Sequence, residues 1–133
     1  MNTILTIAIG VLASASTIAA LRLTGMDRDR ASAPIILAAI AVFYPVFAVQ
    51  NGTVGDVLLH GGVAGAFVAV AIVGHRVGLA ILGAGLIVHG LFDVGMSLVP
   101  ANPAPPFWPV FCLTFDVVLG GWWLLTPDRT AKG

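Results

Sequence analysis

Three four-residue spacings concentrate the chemistry of this chain: Asp56 with His60, His89 with Asp93, and Cys112 with Asp116. Residues four apart share a helix face, so each pair aims two proton-carrying or metal-ligating groups in one direction. Two carboxylates with a histidine can hold a proton and hand it on, as general acid–base catalysis requires. His60, His89, Asp93 and Asp116 also make a two-nitrogen, two-oxygen set suited to zinc, with Cys112 as a substitute ligand. The spacing is only suggestive of metal, because no motif such as HExxH is present. A third use is a proton relay, since chains of Asp and His recur inside transporters.

The elements that must position these residues are apolar. Hydrophobic residues make up 59% of the 133 positions and charged residues 9%, against about a quarter in soluble domains. The mean hydropathy is +1.04, there is no Glu, and six acidic residues balance six basic ones. No basic patch points to nucleic acid and no charged tail to a soluble partner. The single cysteine, Cys112, excludes an internal disulfide. The fold class expected is all-α, a polytopic membrane bundle forming one domain over residues 1–133.

A spanning helix needs about 20 mostly apolar residues. The expected spans are 4–23, 34–50, 56–74, 77–99 and 109–125. Ser32 and Pro34 read as the cap and first turn of the second span, and Pro45 should kink it. Asn51-Gly52-Thr53-Val54-Gly55 reads as a turn, His75-Arg76 as a tight connection, and the proline-rich segment 100–106 as a loop. Fusing the third and fourth spans would give a helix of roughly 66 Å, twice a bilayer core. Ala13-Ser14-Ala15 and Ile18-Ala19-Ala20 resemble signal-peptidase sites, yet no basic residue precedes them, so the first span is expected to be retained.

Five spans place Arg22, Arg28, Arg30, Arg76, Arg129 and Lys132 on one side and no basic residue on the other. The positive-inside rule makes that side cytoplasmic, with the N-terminus outside. Trp108 then sits beside an outer loop, and Trp122 and Trp123 lie near the inner end of the fifth span. Small residues four apart in the third span, Gly61/Gly65/Ala69 and Gly62/Ala66, allow close helix contact. Packing within one chain is the expected use, with a homo-oligomer seam as the alternative.

Helix rise converts these spans into depth. Asp93 falls about 9 Å from the outer surface, His89 about 15 Å, Cys112 about 5 Å and Asp116 about 10 Å, with His60 about 6 Å below Asp56. Tyr44 reaches a similar layer on the second span. Four helices thus carry polar side chains to one depth, which is what a single cavity requires. Plainer roles compete for some of them. Asp56 suits a helix cap, Cys112 behaves as a small hydrophobe in most buried settings, and Tyr44 or His60 could simply be satisfied within the core. Asp93 and Asp116 resist such readings, because a carboxylate at that depth costs several kcal/mol unless paired, protonated or hydrated. Two adjacent carboxylates cannot both ionise cheaply, so a proton or a cation belongs between them.

His-Gly-Leu-Phe-Asp (89–93), a proline-bearing loop, Cys-Leu-Thr-Phe-Asp (112–116) and then Gly121-Trp122 resemble the small bacterial membrane proteins grouped as the DUF6010 family. The resemblance covers about a third of the chain. It implies that His89, Asp93, Cys112 and Asp116 are signature positions, and it implies no activity, since the family is uncharacterised. The architecture is also similar to membrane sterol isomerases of the emopamil-binding type, by analogy alone.

The expected protein is a small bacterial inner-membrane enzyme. It would use His89, Asp93, Asp116 and His60 for acid–base chemistry on a lipid or isoprenoid-like substrate, with Tyr44, Trp108 and Cys112 lining the substrate site. The alternatives are a metal-ion or proton transporter, in which His60, His89, Asp93 and Asp116 hold zinc, and a non-catalytic subunit of a membrane complex. Expected partners are membrane lipid, an apolar small molecule or a second copy of the chain, and not nucleic acid.

Overall fold

The computed structural model describes residues 2–28 and 30–127, which are helical with no strand. α1 spans Thr3–Thr24, α2 Ser32–Ala41, α3 Phe43–Asn51, α4 Val54–Val77, α5 Leu79–Met96 and α6 Trp108–Leu125. α2 and α3 form one passage, so five passages are long and apolar enough to cross a membrane.

Local chemistry sets the ends. The Asn2 side chain accepts the Ile4 N–H at 2.8 Å, and α1 stops where Gly25 takes a left-handed φ of 75° that other residues resist. Pro45 has no N–H for the Ala41 carbonyl and its ring crowds that oxygen, so the second passage breaks at Val42. At α4 the Asp56 N–H donates to Thr53 Oγ1 at 3.2 Å, and the Thr53 N–H donates back to Asp56 Oδ2 at 2.8 Å. This capping box commits Asp56 to the helix start.

Two boundaries differ from the sequence expectation. His75 and Arg76 are not a connection; they form the last turn of α4, and the single residue Gly78 joins α4 to α5. α5 ends at Met96 rather than Val99, and residues 97–101 form turns. His89 and Asp93 therefore lie about 4.5 Å nearer that end than expected.

α6 packs between α1 and α5, α5 also meets α4 and α2, and α4 carries both halves of the α2–α3 passage. The backbones of the α2–α3 passage and α6 consequently do not approach each other closely. Leu37, Leu82, Leu86 and Leu119 form the fully buried centre. Glycines bring α5 and α6 together. A Cβ on Gly83 would lie 2.6 Å from the Gly120 carbonyl oxygen, and one on Gly120 would lie 2.7 Å from the Gly83 carbonyl oxygen. α1 docks on α6 through Gly10 against Thr114, and the Ser14 hydroxyl donates to the Phe115 carbonyl at 3.3 Å.

The small residues of the third passage are not used in this way. Gly61, Gly62 and Gly65 are exposed, and a Cβ on any of them would meet nothing within 4 Å. Packing within the chain, their expected use, is absent because α4 turns the opposite face toward α5. Large apolar side chains face outward along the helices, with Ile4, Leu58, Val49 and Leu125 more than half exposed, as suits a helix facing hydrocarbon.

The two ends of the bundle differ. Arg30 Nη1 donates to the His75 carbonyl at 3.2 Å, and the Arg22 guanidinium lies 5.7 Å from the centre of the Trp122 ring. These contacts gather the ends of α1, α4 and α6 with the start of α2 into a basic end. The opposite, proline-rich end holds the α3–α4 turn and residues 97–107. Arg129 and Lys132 lie outside the described residues.

Candidate functional site

Close to the proline-rich end, α5 and α6 bring three buried ionisable side chains together. His89 and Asp93 share a face of α5, and Asp116 projects from α6 opposite Gly90. A Cβ on Gly90 would lie 3.1 Å from Asp116 Cβ, so the missing side chain is what lets the Asp116 carboxylate reach His89. His89 Nδ1 is 2.9 Å from Asp116 Oδ2 and 3.5 Å from Asp93 Oδ2. Both aspartates are fully buried and His89 is 2% exposed.

The set is under-satisfied. Both Asp93 oxygens and Asp116 Oδ1 are buried without a hydrogen-bond partner. Buried carboxylate oxygens normally have one, and leaving a charged one without it is costly. Tyr44 Oη, His60 Nδ1 and Trp108 Nε1 are also buried without partners. All six orphaned atoms belong to the half of the bundle nearer the proline-rich end. In the other half the core is Leu82, Leu119, Leu79 and Trp123.

His60 stands one aromatic layer from the triad. Its ring stacks on Tyr44 with centroids 5.1 Å apart, and Phe92 lies 5.4 Å from Tyr44 and 6.2 Å from His89. Phe67 closes the other side of His89 at 4.9 Å. Phe92 and Phe67 thus wall the triad, a role that no spacing in the sequence marks. Cys112, buried on the turn before Asp116, stands beside Asp93.

Apolar space reaches the triad from the side. Ile40 and Phe43 on the α2–α3 passage face Trp108, Phe111, Cys112 and Phe115 on α6 across a cleft of about 210 Å³, with Asp116 in its wall. Trp108 roofs it, resting 4.9 Å from both Phe43 and Phe47. The cleft exists because the backbones of α6 and the α2–α3 passage stay apart, with Trp108 bridging them at one end. Of the residues expected to contact substrate, Trp108 and Cys112 line it, and Tyr44 sits behind it with His60.

His89, Asp93 and Asp116 each offer a ligand atom within 4.8 Å of the others. The 2.9 and 3.5 Å separations from His89 Nδ1 to the two carboxylates bracket the ~3.3 Å between ligand atoms around a tetrahedral zinc ion. Three protein ligands with orphaned oxygens fit an ion that keeps one position open. His60, the fourth member of the expected set, lies outside this cluster, with its ring stacked on Tyr44. Among the described residues this is the only such cluster.

No protein-family model, curated protein or solved structure matches this chain.

Proposed function

We propose that the chain is a five-span membrane protein and that His89, Asp93 and Asp116 are the acid–base centre of an enzyme acting on an apolar, isoprenoid-like lipid. The observation that carries this reading is the orphaned carboxylate set, with Asp116 in the wall of a cleft whose other lining is aromatic, aliphatic and thiol. The cleft is smaller than the about 300–1,000 Å³ typical of ligand pockets, so it suits a chain or a single isoprenoid segment. Its lateral position lets a lipid enter from the bilayer without crossing water.

Two carboxylates and one imidazole need two protons to be neutral. Among the described residues no Lys or Arg lies in this half to balance them. One proton on a carboxyl group and one on the imidazole, held between the aspartates, meet that need. A carboxylic acid beside a carboxylate can protonate one carbon of a C=C bond while the base removes a proton from a neighbouring allylic carbon. The double bond moves and the centre recovers its two protons. This step needs an acid, a base and an apolar enclosure, roles that the two carboxyl groups and the cleft would fill. The leucine core beneath the triad favours an enzyme over a transporter, because a permeation route must cross the whole bundle.

In D2O the purified protein, incubated with unsaturated isoprenoid lipids, should incorporate deuterium into them, with Asp93→Asn and Asp116→Asn each losing this while remaining folded. Exchange that persists in both variants rejects the reading.

A metal centre is the second reading, favoured by the ligand spacing of the triad. Bound zinc would act as a Lewis acid at the cleft wall. Element analysis separates the two. Stoichiometric zinc that falls in Asp93→Asn, Asp116→Asn and His89→Ala together supports the metal centre.

A further inference from the structure

A second cavity lies at the basic end, away from the triad. α2 and α4 diverge there and leave an open groove of about 460 Å³ between Pro34, Ile35 and Ala38 on one side and Val68, Ile72 and Arg76 on the other. The lining is divided by polarity along its length. Ala38 and Val68, at the deep end, are apolar, and Arg76 with His75 stands at the mouth. From Val68 to Arg76 the groove runs about 12 Å along the helix. Small side chains make it, since Ala31, Pro34, Ala38 and Ala71 cannot fill the gap between helices that Ile35 and Ile72 wall.

The mouth is built and charged. Arg30 is tied across it to the end of α4, its Nη1 donating to the His75 carbonyl at 3.2 Å while His75 Nδ1 lies 3.4 Å from the Arg30 carbonyl oxygen. Arg76 has no ion-pair partner among the described residues and its side chain is exposed. Arg22 and Arg28 stand at the same end. An apolar trough ending at a cation at membrane depth has the amphipathic profile of one lipid molecule and its headgroup phosphate.

We infer that this groove holds an anionic phospholipid of the leaflet at the basic end, its acyl chain along Ala38, Val68 and Ile72 and its phosphate at Arg76. The charge of the mouth selects the anionic class, and the depth of the trough requires a chain. The site is independent of the triad and of any reaction there.

Native mass spectrometry of the purified chain, loaded with phosphatidylglycerol or with phosphatidylcholine of the same chain length, reads the site directly. The wild type should retain phosphatidylglycerol preferentially. Arg76→Gln should weaken that retention about fivefold, the effect of one cation near anionic lipid, whereas Arg28→Gln, outside the groove, should not. Ala38→Leu, which fills the trough, should weaken both lipids, and excess inorganic phosphate should displace neither. Equal retention of the two lipids by the wild type overturns the inference, as does an Arg28→Gln loss as large as that of Arg76→Gln. Displacement by phosphate alone, or full retention by Ala38→Leu, would show that no chain is held and overturns it equally.

Discussion

His89 occupies the decisive position, with one ring nitrogen within reach of two carboxylates that α5 and α6 bury completely. Coulomb repulsion between bare carboxylates rises as the local dielectric falls, so the charge state of this trio is set by what stands between the aspartates. Asp93→Asn and Asp116→Asn remove that requirement and are expected to keep the fold while abolishing turnover or metal binding. Wild-type function in cells retained by both variants, in protein lacking metal, would leave a purely structural subunit. Tyr44 offers a different test. Its hydroxyl is buried without a well-formed hydrogen bond, with the Asn102 side chain facing it, so Tyr44→Phe should leave stability unchanged or raise it by about 1 kcal/mol. A loss of stability would mean that the hydroxyl has a partner in the membrane-embedded protein. The α5–α6 part of this site was legible from spacing alone, because four-residue intervals put His89 with Asp93 and Cys112 with Asp116 on single faces. Matched depth further implied that these faces converge, as His89, Asp93 and Asp116 do, whereas the stacking of His60 on Tyr44 was not legible, because contacts between passages depend on rotation about each helix axis.

Glycine decides that rotation for α5 and α6. Gly83 and Gly120 approach so closely that an added Cβ would enter the partner's carbonyl oxygen, and backbone atoms cannot swing aside as a side chain can. Gly83→Ala and Gly120→Ala are each expected to lower stability in detergent by about 1–3 kcal/mol, the usual cost of overpacking. Both should also disturb the triad, because Gly90 holds Asp116 on the same helix pair. Gly61→Ala and Gly65→Ala on α4 make the control. Their positions are open, and Ala is the better helix former by about 1 kcal/mol, so thermal unfolding of the monomer should stay the same or move upward. A drop there, or a shift in oligomeric state, would mark α4 as a contact with a second copy. The sequence spacing pointed to the small residues of α4, and not to Gly83 or Gly120. Only the packing shows that the α5 set is filled by a neighbouring helix and the α4 set is not.

At the scale of the whole molecule the number of passages was legible, because the apolar runs have spanning length and fusing the third with the fourth would give a helix of roughly 66 Å, twice a bilayer core. Their inner detail was not, since α4 runs on through His75 and Arg76 where backbone hydrogen bonding continues past the apolar run. Orientation follows from charge. Arg22, Arg28, Arg30 and Arg76 gather at one end of the bundle, joined by the Arg30–His75 and Arg22–Trp122 contacts, and none of the described basic residues lies at the other. Basic residues flanking short loops resist translocation, so the end they occupy should be cytoplasmic, with the triad and its cleft in the outer half. Adding or removing one central passage would split the set between the two sides, which makes the clustering a check on the topology as well as its cause. Reporter fusions after Gly133 and within the 101–106 loop should therefore report opposite compartments, cytoplasmic for the first and extracytoplasmic for the second. Replacing Arg22, Arg28 and Arg30 together with Gln should weaken that bias and give a mixed population. Both reporters on one side in the wild type would exclude the five-passage topology, and opposite compartments in the reverse order would place the triad next to the cytoplasm.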